Sequence, residues 1–204
     1  IQSYHRSNNA FTFQNFYNLS QLYYRIGDLD VSIDILDQIV EQDIDSSESA
    51  YFYGLLYKAK KNNTIDDLMV YVDNTNDTTR KKQCYWQMIR TIKKNDSDPS
   101  LEAQLYLKAV NLYDEEYKYL ASLLNSFAWR MTEIGQLLPE ALEKVNYALE
   151  IKEDLKILDT KAEVLWKLGR VEEAIEVINE CIQGNPEYQH YQDQKAKFLE
   201  TRAL

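Results

Sequence analysis

The sequence has few of the residues that interrupt helices. Only five Gly and three Pro occur among its 204 residues, fewer than average usage gives for this length, whereas strong helix formers are plentiful. Apolar runs are short as well, and none approaches the ~20 residues that a membrane-spanning helix requires. The chain is therefore predicted to be helical and not to insert into a membrane.

Cysteine and histidine are also scarce. Cys84 and Cys181 are the only cysteines and form no Cys-x-x-Cys motif, and His5 and His190 are far apart in the sequence. No redox couple or zinc site can be assembled from neighbouring residues. Both cysteines are expected to be buried as small apolar residues. No cofactor, metal or catalytic residue is predicted, and the chain is not expected to be an enzyme.

Acidic residues outnumber basic ones, 33 to 23, for a formal net charge of −10. This charge opposes binding to nucleic acid or to an anionic membrane, so a protein or peptide of basic or neutral charge is the expected partner. The sequence also contains 16 Tyr. Because tyrosine is amphipathic, these residues suit helix interfaces or a binding groove.

The few helix-breaking residues fall where helix ends are expected. Three prolines are predicted to occupy first positions of helices, where the missing N–H has no cost: Pro99, Pro139 and Pro186. Four glycines are predicted to end helices in the left-handed conformation: Gly27, Gly135, Gly169 and Gly184. Gly54 alone lies inside a helical pattern, so it is expected to serve close packing.

Small residues recur at a fixed interval along the chain. From Ser20 to Gly54 is 34 positions, and from Ala128 to Ala162 is again 34. Residues 158–186 contain two apolar stripes of helical period, joined by two or three residues, which predicts an antiparallel helix pair. This combination resembles the tetratricopeptide repeat, a helix pair of 34 residues.

The resemblance predicts an all-α fold, a right-handed superhelical array of about five antiparallel helix pairs with a C-terminal capping helix. Residues 1–9 show no period and are expected to be irregular. The expected repeats cover 10–44, 47–76, 79–118, 120–152 and 155–185, and the third is degenerate because it lacks the small-residue signature. The expected capping helix covers 186–204, with its apolar side closing the last repeat.

The family's concave face, formed by the first helix of each pair, typically binds peptides or protein segments, so the resemblance implies a non-catalytic scaffold. The partner-binding residues that it implies here are Tyr17, Gln21, Tyr24, Tyr51, Lys58, Asn125, Trp129, Asp159, Glu163 and Trp166. Members that bind chaperones hold a terminal carboxylate with Lys and Asn. Tyr17 and Gln21 occupy the positions of the first Lys and Asn, which argues against that ligand. Trp129 and Trp166 are equally consistent with wedges between helix pairs.

Two segments, 124–132 and 158–166, also resemble helical tails that follow thioredoxin-like domains in some bacterial proteins. The start at Ile1 rather than Met is consistent with a tail excised from a longer chain. The alternative function is therefore an accessory C-terminal domain that orients or dimerises a redox unit, and a homodimer is compatible with it.

Overall fold

The computed structural model describes residues 13–42 and 47–202, and these form eleven α-helices without a β-strand. The chain divides into two compact units, Ile1–Asn95 and Asp96–Leu204. The predicted irregular segment 1–9 lies outside the described residues. None of the described helices is both long and apolar enough to cross a bilayer.

The first unit contains five helices: α1 (Phe13–Ile26), α2 (Leu29–Glu41), α3 (Ser47–Asn62), α4 (Asp66–Asn74) and α5 (Thr78–Asn95). Successive helices α1, α2 and α3 pack on one another, and α5 packs on α3 and α4. One core cluster lies between α1, α2 and α3, where Phe16, Leu36 and Ile39 are almost fully buried. Burial of each such side chain stabilises the fold by about 1.5–3 kcal/mol.

The second unit contains six helices: α6 (Pro99–Val110), α7 (Leu120–Ile134), α8 (Leu138–Ile151), α9 (Leu155–Lys167), α10 (Val171–Gly184) and α11 (Gln189–Arg202). Helices α7 with α8 and α9 with α10 are its most closely packed pairs, and α11 packs on α10 and α9. Phe127 and Met131 fill one cluster, and Ile178 and Phe198 fill the other. The predicted all-α array of helix pairs is confirmed.

Helix ends follow the local chemistry that the sequence indicates. The carboxylate of Asp28 accepts a hydrogen bond from the Val31 N–H at the start of α2, and Asp98 accepts one from the Leu101 N–H at the start of α6. Each caps a donor that has no partner within its helix. Gly135 ends α7 with a φ of 65°, a left-handed conformation that costs glycine little.

Two predicted helix ends are wrong. Pro186 does not begin a helix, because the Tyr188 N–H donates to the Asn185 carbonyl in a turn and α11 starts only at Gln189. Gly184 is not a left-handed terminator but the last residue of α10. A Cβ at this position would lie 2.8 Å from Cδ2 of Leu155, so glycine permits a close approach to α9.

Gly54 is buried in α3 against α2, in the region where close packing is predicted. A Cβ added here would lie 3.8 Å from Oδ1 of Asp37 and 3.9 Å from Cβ of Leu36. Both distances are ordinary van der Waals separations. A small residue fits this position, but the helix crossing does not require glycine.

The segment 79–118, predicted as a degenerate repeat, spans the boundary between the units. Helix α5 has its contacts with α3 and α4, whereas α6 has its contacts with α7. Residues 111–119 after α6 form turns rather than a continued helix. The assignment of this segment as one repeat, and the bounds of the other repeats, stay predictions.

Candidate functional site

Tyrosine rings join α1 to α3 in the first unit. The Tyr24 and Tyr57 rings stack with centroids 4.4 Å apart, and the Tyr17 and Tyr53 rings lie 4.9 Å apart at a tilted angle. The Gln21 amide donates a hydrogen bond to the Tyr57 hydroxyl. Three predicted partner-binding residues, Tyr17, Gln21 and Tyr24, thus come together on one side of the unit, each half-buried.

Two adjacent cavities open on the side of the unit that α1, α3 and α5 form. The first has a volume of about 330 Å³ and is lined by Tyr24, Tyr53, Leu56, Tyr57, Lys60, Gln83, Trp86, Gln87 and Arg90. The second has a volume of about 630 Å³ and is lined by Tyr24, Leu29, Lys60, Lys61, Asn63, Gln87, Arg90, Thr91 and Lys94. Because four residues line both cavities, we treat the combined lining as one surface, the α1/α3/α5 face.

The α1/α3/α5 face carries positive charge and no carboxylate among its lining residues. Lys60 donates to the Tyr24 hydroxyl over 2.9 Å, and its Nζ lies 4.2 Å from the centre of that ring. Lys61 forms an ion pair with Asp30 of α2. Arg90 and Lys94, one helical turn apart on α5, are exposed and make no ion pair within the described residues.

Two tyrosines at the contact between α1 and α3 have raised pKa values: Tyr57, which lines the face, and Tyr17, which does not. Burial raises the pKa of the Tyr57 hydroxyl above its ordinary value, and burial likewise raises the pKa of Tyr17. Their hydroxyls therefore act as neutral donors and acceptors at any physiological pH. The face combines aromatic surface, amide groups and cations.

Of the predicted partner-binding residues in the first unit, Tyr24 alone lines the cavities. Tyr17 and Gln21 of α1 line neither cavity, and the same holds for Tyr51 and Lys58 of α3. The Tyr51 side chain is 50% exposed, with its ring 6.4 Å from that of Tyr71. Lys58 Nζ forms an ion pair with Asp37 of α2 at 2.7 Å.

The predicted residues of α9 contact α11 in the second unit. The Asp159 carboxylate lies 3.0 Å from His190 Nε2, and Glu163 accepts a hydrogen bond from Lys197. The Trp166 ring stacks with Phe198 at a centroid distance of 5.7 Å. These three side chains therefore hold the last helix against its neighbour within the unit.

The predicted residues of α7 have different surroundings. Trp129 donates from Nε1 to Glu133 of the same helix over 3.1 Å. Oδ1 of Asn125 is buried and has no hydrogen-bond partner among the described residues, and the same holds for Oδ1 of Asp159, 34 positions later. The two unpaired oxygens thus occupy equivalent positions of the predicted fourth and fifth repeats.

Sequence reasoning missed the α5 half of the α1/α3/α5 face, which comprises Gln83, Trp86, Gln87, Arg90, Thr91 and Lys94. A signal for it exists in the sequence. Helix α5 contains six Lys or Arg residues and no Asp or Glu, although the chain as a whole has an excess of acidic residues. Trp86, Arg90 and Lys94 recur at intervals of four, which places them on one helical face.

Both cysteines are buried, as predicted, and unpaired. Burial raises the pKa of the Cys84 thiol to about 12 and that of the Cys181 thiol to about 12. A thiol with such a pKa is not a nucleophile at neutral pH. The described residues also contain no cluster of three or more His, Cys, Asp or Glu able to hold a metal ion.

Comparison with known proteins finds a sequence family for one helix pair and similar folds for the chain. Residues 155–188 match the tetratricopeptide repeat model. The structure is similar to that of YrrB, described as a TPR protein with an unusual peptide-binding site, at a TM-score of 0.58 and 16% identity, covering 89% of this chain and 90% of that one. TTC0263, a TPR protein of Thermus thermophilus, gives a TM-score of 0.46 and 15% identity over 91% of this chain and 98% of that one. Among curated proteins, none matches the sequence. The predicted tetratricopeptide resemblance is confirmed.

Proposed function

The chain contains a tetratricopeptide repeat and has the fold of tetratricopeptide-repeat proteins, and on that premise we propose that it is a non-catalytic scaffold for protein–protein interaction. Its α1/α3/α5 face binds an extended peptide or protein segment. The observation that carries this proposal is the pair of adjacent cavities lined by rings and amides of three helices.

The lining chemistry suits a peptide. Tyr24 and Trp86 present large rings with few rotatable bonds, so they can bury area at small entropic cost. Gln83 and Gln87 carry both donors and acceptors, as the backbone of an extended peptide does. The stacking of Tyr24 on Tyr57 also holds one wall of the cavity in place before any ligand arrives, which lowers the cost of binding.

In the second unit, several of the predicted partner-binding residues make contacts between helices. Asp159, Glu163 and Trp166 have partners on α11, so a ligand there would first have to displace those contacts. Trp129 and Asn125 of α7 have no contact with α11 among the hydrogen bonds and ring contacts described above, and their role in binding stays a prediction.

Selection from a random peptide library tests the proposal even though the natural partner is unidentified. Peptides selected for binding to the whole chain are expected to bind the Tyr24→Ala and Trp86→Ala variants at least about tenfold more weakly than the unaltered chain. The reason is that the loss of a central aromatic contact costs about 2 kcal/mol. Fluorescence anisotropy of labelled peptides measures the change.

Tyr119→Ala provides the matched control, because it removes a 57% exposed ring in the second unit and is expected to leave affinity unchanged. Thermal unfolding of every variant separates lost binding from lost folding. If peptides bind folded Tyr24→Ala and Trp86→Ala as tightly as the unaltered chain, the α1/α3/α5 face is not the binding site.

The alternative, an accessory domain of a thioredoxin-like protein, stays a prediction. Neither of the buried cysteines has the lowered pKa of a redox-active thiol, but the alternative places that chemistry in another domain.

A further inference from the structure

The charge of the chain is distributed unequally between its two units. The first unit contains 11 basic and 12 acidic residues, whereas the second contains 12 basic and 21 acidic residues. The expectation of a basic or neutral partner followed from the net charge of the whole chain, which comes almost entirely from the second unit. The net charge of the whole chain therefore does not determine the charge at the α1/α3/α5 face.

Four of the eleven basic residues of the first unit line the α1/α3/α5 face, and no acidic residue lines it. Four cations line its larger cavity: Lys60, Lys61, Arg90 and Lys94. Of these, Lys61 alone forms an ion pair with a described carboxylate, that of Asp30. The acidic residues of α4, by contrast, line neither cavity. Lys60, Arg90 and Lys94 thus form no ion pair with a carboxylate in the part of the unit that the structure describes.

From this distribution we propose that the α1/α3/α5 face binds an acidic peptide segment of a separate protein, with side-chain carboxylates held by Arg90, Lys94 and Lys60 beside the rings of Tyr24 and Trp86. This inference rests on the proposed function and adds the charge class of the ligand. Arginine suits the role because its planar guanidinium binds a carboxylate through two parallel hydrogen bonds.

A peptide fits these observations better than a nucleic acid does. The first unit as a whole is not basic, with 11 basic and 12 acidic residues, so a polyanion that extends beyond the face gains no net attraction from the rest of the unit. A short acidic segment interacts mainly with the cations within a Debye length of ~8–10 Å. The two glutamines beside Trp86 add groups that pair with peptide amides.

Three synthetic peptides of one length provide the test. They share the same aromatic residues and carry Glu, Gln or Lys at the same alternating positions, and a single-stranded oligonucleotide serves as a second polyanion. The Glu peptide is expected to bind at least about tenfold more tightly than the Gln peptide and to weaken as salt is raised. The Lys peptide is expected to bind most weakly.

Reversing the charge of single lining residues tests whether the preference for the Glu peptide arises at the α1/α3/α5 face. Arg90→Glu and Lys94→Glu are each expected to lower affinity for the Glu peptide about tenfold or more, because like charges meet at the site. Lys93→Glu is the matched control, since Lys93 is an exposed base of the same helix that lines neither cavity, and it is expected to change affinity far less.

Every other outcome overturns the proposal in a distinguishable way. Equal or tighter binding of the Gln or Lys peptide, still lost in Trp86→Ala, retains the peptide-binding function and rejects the acidic class. Tighter binding of the oligonucleotide assigns the face to nucleic acid. Self-association that Arg90→Glu abolishes assigns it to a second copy of the chain. If the Trp86→Ala and Arg90→Glu variants bind the Glu peptide as tightly as the unaltered chain does, both the peptide-binding function of the face and the acidic class of its ligand are rejected.

Discussion

The contact between α1 and α3 in the first unit differs in chemistry from the contact between α9 and α11 in the second. In the first unit, uncharged tyrosines of α1 meet tyrosines of α3, and cavities remain open beside them. In the second unit, Asp159 and Glu163 of α9 meet the basic side chains of His190 and Lys197 on α11. Lys197 on α11 is thus held in an ion pair with Glu163, whereas Arg90 and Lys94 on α5 form no ion pair among the described residues.

This difference shows why the position of a residue within a repeat does not by itself make it a ligand contact. Tyr24 and Glu163 both belong to first helices and were both predicted to bind a partner. Tyr24 lines two cavities, whereas Glu163 is only 6% exposed and is paired with Lys197. The next helix decides which surface remains accessible.

Breaking the most buried ion pair is expected to have the largest effect on stability. Glu102 is 3% exposed and accepts two hydrogen bonds from Arg130, at 2.7 and 2.9 Å. Arg130→Met should lower the free energy of unfolding by about 3–5 kcal/mol, because it leaves a buried carboxylate without its partner. Urea denaturation measures the loss.

Arg90→Met in the first unit is the matched control for that substitution. Arg90 is exposed and has no such partner, so the change should stay within about 0.5 kcal/mol. Equal effects of the two substitutions would mean that the units do not differ in how they use charge.

The pairs between α9 and α11 are expected to contribute less. Lys197→Met should destabilise the chain by about 1–3 kcal/mol, because the buried Glu163 carboxylate loses its hydrogen-bond donor. Lys60→Met removes an exposed lysine of the first unit and should cost less than about 0.5 kcal/mol. Denaturation of the two variants side by side checks this order, and the reverse order would contradict it.

Two glycines test how closely helices approach in each unit. Gly54→Ala should raise stability by about 0.5–1 kcal/mol, because the nearest atom lies 3.8 Å from the added Cβ and alanine favours the helix. Gly184→Ala should lower stability, because its Cβ would lie 2.8 Å from Leu155 and overpacking costs about 1–3 kcal/mol. Changes of the same sign in thermal unfolding would contradict this account.

The smallest expected effect is a pH dependence in the second unit. Burial raises the pKa of Asp159 above its ordinary value of 3.8, although the hydrogen bond with His190 opposes the shift. The native state then keeps a proton that the unfolded chain has lost. Stability should therefore fall as pH rises from about 3.8 through the raised native pKa.

Asp159→Asn should abolish this dependence. Denaturation across that range, with His190→Gln present in both chains to remove the second titrating group, measures it. The pKa shift would have the opposite sign if the chain with Asp159 became more stable, relative to the Asp159→Asn chain, as pH rises.

Much of the fold can be predicted from the sequence, because the spacing of small residues and most helix ends depend on residues that are near each other in the chain. The 34-residue spacing of Ala128 and Ala162 identifies positions that are fully buried in the structure, and Gly135 ends α7 as predicted. The start of α11 and the role of Gly184 were missed because both depend on distant atoms. A turn competes with the helix in one case, and Leu155 approaches from another helix in the other.

The candidate site was predicted only in part for a related reason. Helical periodicity identifies the face on which Tyr24 lies, but it does not show which helix lies opposite. The α5 contribution came from a segment without the small-residue signature, and the α9 residues were covered by a helix whose contacts no local pattern encodes. Charge counted helix by helix would have indicated α5 from the sequence alone.

Chemical-shift mapping tests the central claim most directly. Amide resonances of the whole chain would be recorded during titration with the Glu peptide. The account predicts that the largest shifts fall on α1, α3 and α5, around Tyr24, Tyr57 and Arg90, and that α9 and α11 change little. Shifts concentrated on α9 and α11, with the first unit unchanged, would contradict it.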